Sequence, residues 1–266
     1  MSTVELAEAR TRLRADFRHI AALARRNVLQ IRNDPTLLFD AVLMPIVLTL
    51  LFVYVFGGAI AGTDNRDVYV DYVIPGLMAM TGLNIAMAVG VGINEDIGNG
   101  VMDRLRTMPI ARSSVLVARI IVELGRMLVA TGILLAVGFA LGMRVHTSVV
   151  EMFAAIALAA VFGASLMWVF ILLGLTVRSA QAVQSMAMLV LMPLQFGSSI
   201  FAPTETMPGW LQAFTAYNPL SLLADAARGL ITGGPVTRPV WWVLGWATVI
   251  TVLTAPVAVA RFRART

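Results

Sequence analysis

Between Asn94 and Arg119 the chain gathers charge that its flanks lack: Glu95, Asp96, Asp103, Arg104, Arg106, Arg112 and Arg119, set between two long apolar stretches. Acids come first and arginines last. That order suits a short helix, whose positive end favours carboxylates and whose negative end favours cations. Val101, Leu105 and Met108 recur at i, i+4 and i+7, which gives such a helix one apolar face. Pro109 ends the pattern, and Ser113 or Ser114 stands where it could cap the next helix. The chemistry on offer is recognition, an apolar stripe between arginines that another protein can grip. The bland alternative is an orientation signal, since cytosolic loops of membrane proteins carry arginine for that reason alone.

Catalytic chemistry has little to work with. The chain contains no lysine, so the Gly-x-x-x-x-Gly-Lys cradle for nucleotide phosphates is excluded, and the chain is not expected to hydrolyse ATP itself. His19 and His146 are the only histidines, cysteine is absent, and no His-Glu-x-x-His occurs, which argues against a metal hydrolase. Ser165, in Gly163-Ala164-Ser165-Leu166, has no base in its apolar surroundings and reads as a small packing residue. The apolar stretches hold Asn84, Gln184 and Gln195 but no evident mid-span pair of acids. A secondary transporter or channel, the rival reading, usually places several ionisable groups there. A passive pathway driven by the ATP of a separate subunit fits that scarcity better. Asn84 and Gln195, with Met80 and Met87, are the candidate lining of such a pathway; methionine suits an adaptable apolar surface, although it more often simply packs.

The elements that position these residues follow from composition. Of 266 residues 59% are hydrophobic and 13% charged, with mean hydropathy +0.83. A soluble domain is nearer a quarter charged, so lipid must cover part of this surface. The reading is an all-α membrane protein: a basic amphipathic helix over 1–35, suited to the membrane interface, then one six-span domain over 36–266. Spans are expected at 36–57, 71–93, 127–143, 149–177, 180–201 and 240–260, with polar loops between them, including 58–70. Gly76, Gly82, Gly90 and Gly92 in the second span favour close helix approach. Arg119, Glu123 and Arg126, spaced at four and three, can pair on one helix face just before the third span enters the membrane. The segment 202–238 reads as two short helices, too short to cross, dipping into the outer side before the last span.

Arginine counts set the orientation. With the N-terminus inside, fourteen arginines lie on the inner side: Arg10, Arg12, Arg14, Arg18, Arg25, Arg26, Arg32, Arg104, Arg106, Arg112, Arg178, Arg261, Arg263 and Arg265. Four lie outside, Arg66, Arg144, Arg228 and Arg238, while Arg119 and Arg126 flank the inner face. Both termini are therefore expected in the cytoplasm. Because the arginines cluster at membrane edges, the pI near 10.6 points to anionic lipid rather than nucleic acid.

Two stretches carry a resemblance. The acids and Gly100, then Asp103-Arg104-Leu105-Arg106, Pro109 and Arg112-Ser113-Ser114, resemble the cytosolic coupling loop of ATP-binding-cassette (ABC) type-2 export permeases, nearest the daunorubicin-resistance branch. Pro208-Gly209-Trp210-Leu211, Asn218-Pro219 and Arg228-Gly229-Leu230 resemble the re-entrant region before the last span of those permeases. The resemblance covers about the whole length. It implies a cell-membrane permease that dimerises, as a homodimer or a heterodimer, and pairs with ABC ATPase subunits, which hold the ATP and magnesium; this chain would need no cofactor. Glu95, Gly100, Asp103, Arg104, Leu105, Arg106, Pro109 and Arg112, within the loop 94–114, would couple to the ATPase. Pro208, Trp210, Asn218, Pro219, Arg228 and Gly229 would shape the re-entrant region. Substrates of such permeases are drugs, lipids, glycolipids or polysaccharides, moved out of the cytoplasm.

Overall fold

In the computed structural model the described residues are 35–57, 66–101 and 112–265. All but Pro35 of the amphipathic helix expected over 1–35, and the loop core at 102–111, lie outside them. All described elements are helical: α1 (Pro35–Leu51, continued by a π-helical turn Phe52–Phe56), α2 (Arg66–Gly98), α3 (Arg112–Ala140), α4 (Val149–Thr176), α5 (Ala180–Phe196), α6 (Gly209–Tyr217), α7 (Pro219–Thr232) and α8 (Thr237–Arg265). A 3-10 turn, Thr204–Thr206, precedes α6.

The helices α2, α3, α4 and α8 are long and apolar enough to cross a membrane; Leu43–Phe56 and α5 are shorter apolar helices. The pair α2 and α4 forms the centre, with α3, α7 and α8 packed around it. Glycine sets how close that pair comes. A Cβ on Gly90 would lie 2.5 Å from the carbonyl oxygen of Phe170, and one on Gly174 would run into the carbonyl of Gly90. Outward-facing side chains such as Leu189, Val252 and Leu253 are at least 64% exposed, an apolar surface that water does not cover favourably.

Several expected boundaries move. Residues 66–70, read as loop, are the first turns of α2, and Asn94–Gly98 are its last, so the second apolar helix has 33 residues, or about 50 Å at 1.5 Å per residue. Glu95 and Asp96 thus end a long helix rather than begin a short one. That is the unfavourable end for acids, and Arg119, 3.5 Å from Asp96, offsets it there. The connecting helix and third span are one continuous helix. It begins at Arg112, so Ser113 and Ser114 lie within it rather than at its cap, and it ends at Ala140, before the expected 143. The fifth stretch stops at Phe196 instead of 201: Pro193 sits one turn from the end, and Gly197 closes onto its carbonyl at 2.8 Å. The fourth agrees closely, fixed by a capping box between Ser148 and Glu151. The two short helices before α8 are present as α6 and α7.

Candidate coupling interface and its polar clusters

Helix ends sort into two groups. At one end of the bundle lie the start of α2, the turn 141–148, the end of α5, and α6 with α7. The Arg144 amide donates to Asp71 Oδ1 (2.9 Å), the His146 amide to the Ile231 carbonyl (3.1 Å), and Thr147 Oγ1 to the Leu230 carbonyl (2.6 Å). At the other end lie the last turns of α2 and α4 and the first half of α3. There Asn94 Nδ2 donates to the carbonyls of Gly174 (2.9 Å) and Val177 (2.8 Å), satisfying acceptors that the end of α4 leaves free.

The candidate coupling residues belong to this second end. Glu95 is exposed on the last turn of α2. Gly100 follows at φ +68, the left-handed conformation that ends a helix and that glycine adopts without strain. Asp103, Arg104, Leu105, Arg106 and Pro109 lie outside the described residues, and Arg112 opens α3. Beside them sits a four-charge cluster. Arg119 Nη1 is 3.5 Å from Asp96 Oδ2, Arg119 Nε 3.2 Å from Glu123 Oε1, and Arg126 Nη2 3.0 Å from Glu123 Oε2. The sequence spacing paired Arg119, Glu123 and Arg126 correctly. It did not supply Asp96, which comes from another helix, nor the depth of Glu123, which is 3% exposed.

The re-entrant candidates form a cluster at the first end. Asn218 caps α7 by accepting from the Leu220 amide (3.0 Å), while its Nδ2 donates to the carbonyls of Leu194 (2.8 Å) and Gly197 (3.1 Å). Pro219 takes the first position of α7, where a missing N–H costs nothing. Arg228 reaches three elements: Nε donates to the Tyr72 carbonyl (2.8 Å), Nη1 to Asp225 Oδ1 (2.6 Å), and Nη2 to the carbonyls of Ser199 and Ile200. Its guanidinium lies 3.7 Å from the centre of the Tyr72 ring, and Tyr72 Oη donates to the Ser199 carbonyl (2.6 Å). Gly229 is closed over by Val236, Pro208 precedes α6, and Trp210 is exposed. Asp225, Ser199 and Tyr72 were not singled out from sequence. Only Asp225, three residues from Arg228, left a local signal.

The pathway candidates lie on two helices, α2 and α5. Met80, Asn84 and Met87 share one stripe of α2 at i, i+4 and i+7, half-buried, with both methionines packed against the core. Gln195 is buried at the α7 end of α5, beside the Leu194 carbonyl that Asn218 holds. Ser165 is buried, its hydroxyl donating to the Phe162 carbonyl at 2.6 Å. Among the described residues no group of three or more His, Cys, Asp or Glu stands where it could hold a metal.

Comparison with known proteins gives this arrangement a family. The chain is 36% identical over 208 residues to the daunorubicin resistance ABC transporter permease protein DrrB1 of Streptomyces coeruleorubidus, a match covering 78% of this chain and 73% of that one. It is 27% identical over 232 residues to the probable doxorubicin resistance ABC transporter permease protein DrrC of Mycobacterium tuberculosis, covering 86% and 84%. It is 25% identical over 216 residues to the putative transport permease ycf38 of Porphyra purpurea, covering 80% and 73%. The profile of the ABC-2 type transporter family matches residues 18–232, a stretch that includes both polar clusters, and the chain belongs to that family.

Proposed function

We propose that this chain is the membrane-embedded permease of an ATP-driven exporter for hydrophobic or amphipathic compounds, drugs of the kind named for its relatives among them, and that a separate ATPase docks on residues 94–114. The observation that carries the reading is the family match across 18–232, which takes in the charged segment between α2 and α3. ATP and magnesium would bind on that ATPase, and two copies of the permease, or this chain with a related one, would form the path.

Six crossings are supported by the grouping of helix ends. α5 starts beside the end of α4 and finishes against Asn218, so its 17 residues run from one end of the bundle to the other, about 25 Å. α1 likewise finishes at the hairpin end, where Phe52 stacks on Phe201 at 4.5 Å and Gly57 meets Tyr69. α6 and α7 stay at that end, which fits a re-entrant hairpin. Both termini and residues 94–114 then share the cytoplasmic side of the cell membrane.

The test is Leu105→Asp. If Leu105 fills an apolar groove on the ATPase, its burial is worth about 1.5–3 kcal/mol, roughly tenfold to a hundredfold in affinity, and a buried unpaired carboxylate adds to the loss. The variant should insert normally yet lose the copurifying ATPase, whereas Asp64→Ala should retain it. Equal recovery of the ATPase with both variants would reduce the segment to an orientation signal.

A further inference from the structure

The four charges Asp96, Arg119, Glu123 and Arg126 stand at the foot of the docking segment without belonging to its expected contact residues. They join its two flanks. Asp96 is on the last turns of α2, where the segment begins; Arg119, Glu123 and Arg126 are on α3, after it. These ion pairs join two acids to two cations, and the four side chains are 4% to 30% exposed, which limits screening by salt. Although Arg119 Nε and Glu123 Oε2 lie within ion-pair distance of their partners, neither makes an aligned hydrogen bond. At those two atoms the attraction is that of charge, which tolerates small rotations where an aligned bond would not.

The surface of α2 is shaped for this contact. Gly92 lies beneath the Arg119 guanidinium, and a Cβ there would collide with Arg119 Nη2. Asn94, two residues on, fastens α2 to the end of α4. If the two flanks could part, a displacement of the segment would spread them and go no further. Held together, they pass it to both helices.

We propose that Asp96 and Arg119, steadied by Glu123 and Arg126, form an electrostatic latch that makes α2 and α3 move as one body when residues 94–114 are displaced. These are positioning residues, and the proposal rests on the reading of 94–114 as the docking segment. Removing the Asp96 or Arg119 charge opens the latch directly. Gly92→Ala opens it without touching a charge: the collision is with the tip of a flexible side chain, so the helix survives while the guanidinium is displaced, and alanine also suits a helix better than glycine.

The chain has no cysteine, so spin labels on Gly98→Cys and Gly125→Cys would be its only thiol adducts; a Cβ at either position meets open space. Measured in the permease–ATPase complex, with labelled chain diluted in unlabelled, the distance between these flanks should be narrow and the same with and without ATP. In Asp96→Asn, Arg119→Gln and Gly92→Ala it should broaden and become ATP-dependent. Permease-stimulated ATP hydrolysis should fall about tenfold, inside the 5- to 150-fold range typical of coupling between sites. Asp96→Asn/Arg119→Gln together should be no worse than the more damaging single change, as expected when two residues act through each other. Should a charge variant fail to insert, Gly92→Ala decides. Unchanged distances and hydrolysis in the variants, with Leu105→Asp still releasing the ATPase, would overturn the latch alone. Retention of the ATPase by Leu105→Asp would remove the docking reading and the latch with it.

Discussion

Arg228 holds three separate parts of the chain with one side chain, and the planarity of guanidinium is what allows it. Its donors are aimed at Tyr72, Ser199, Ile200 and Asp225, while its flat face rests on the Tyr72 ring. A lysine ammonium offers three donors around a point and no face to stack, so it cannot serve all of these acceptors. Arg228→Lys should therefore lower the stability of the detergent-solubilised protein by about 1–3 kcal/mol, the cost of buried acceptors losing their donors, with Arg228→Ala at the upper end, read as the shift of the thermal transition. Equal melting of native and Arg228→Lys protein would mean the fork is dispensable. Arg228 drew attention in the sequence only through the family pattern Arg-Gly-Leu. Its partners at Tyr72 and Ser199 stand 156 and 29 residues away, and local spacing carries no trace of them. The same holds for Asp96, legible as an acid at a helix end but not as the cross-helix partner of Arg119.

Hydropathy marks which part of a helix is greasy, and the helices here continue beyond it wherever charge is locally satisfied. This is why 71–93 became Arg66–Gly98 and why the helix entering at 127 already begins at Arg112, while the stretch with a capping box at its start, Val149–Thr176, was readable to within one residue. Close packing was legible in the glycines but its partner was not: Gly90 fits against Phe170 and Gly174 of α4. A methyl group on Gly174 has only rigid backbone to push against, so Gly174→Ala should separate α2 from α4 and destabilise by about 1–3 kcal/mol. Gly132, on α3, offers the control, because a Cβ there meets nothing within 4 Å. Gly132→Ala should be neutral or stabilising by up to about 1 kcal/mol. Similar thermal transitions for the two variants would show that the α2–α4 crossing is loose enough to absorb a methyl group.

At the scale of the whole molecule, the two polar clusters lie at opposite ends of one bundle, and α2 reaches both: Tyr72 meets Arg228 near its start, and Asp96 meets Arg119 near its finish. Twenty-four residues separate those two contacts on a single helix, about 36 Å at 1.5 Å per residue, more than the hydrocarbon thickness of a bilayer. A rod of that length is long enough to put the Arg119 end on one face of a membrane and the Arg228 end on the other. The proposed orientation, with the Arg119 end in the cytoplasm, rests on the arginine bias of fourteen to four, because the positive-inside rule applies to short segments next to apolar helices. A reporter active only in the cytoplasm should then work when fused after Thr266 and be silent when inserted at Asn65, between α1 and α2. Because α8 leads from the hairpin to the C-terminus, the two fusions test the parity of the five crossings proposed after Asn65 as well as their sense: an odd number between Asn65 and Thr266 requires opposite results. Activity at both sites, or at neither, would remove a span. Activity at Asn65 alone would turn the bundle over and place residues 94–114 where no cytoplasmic ATPase can reach them.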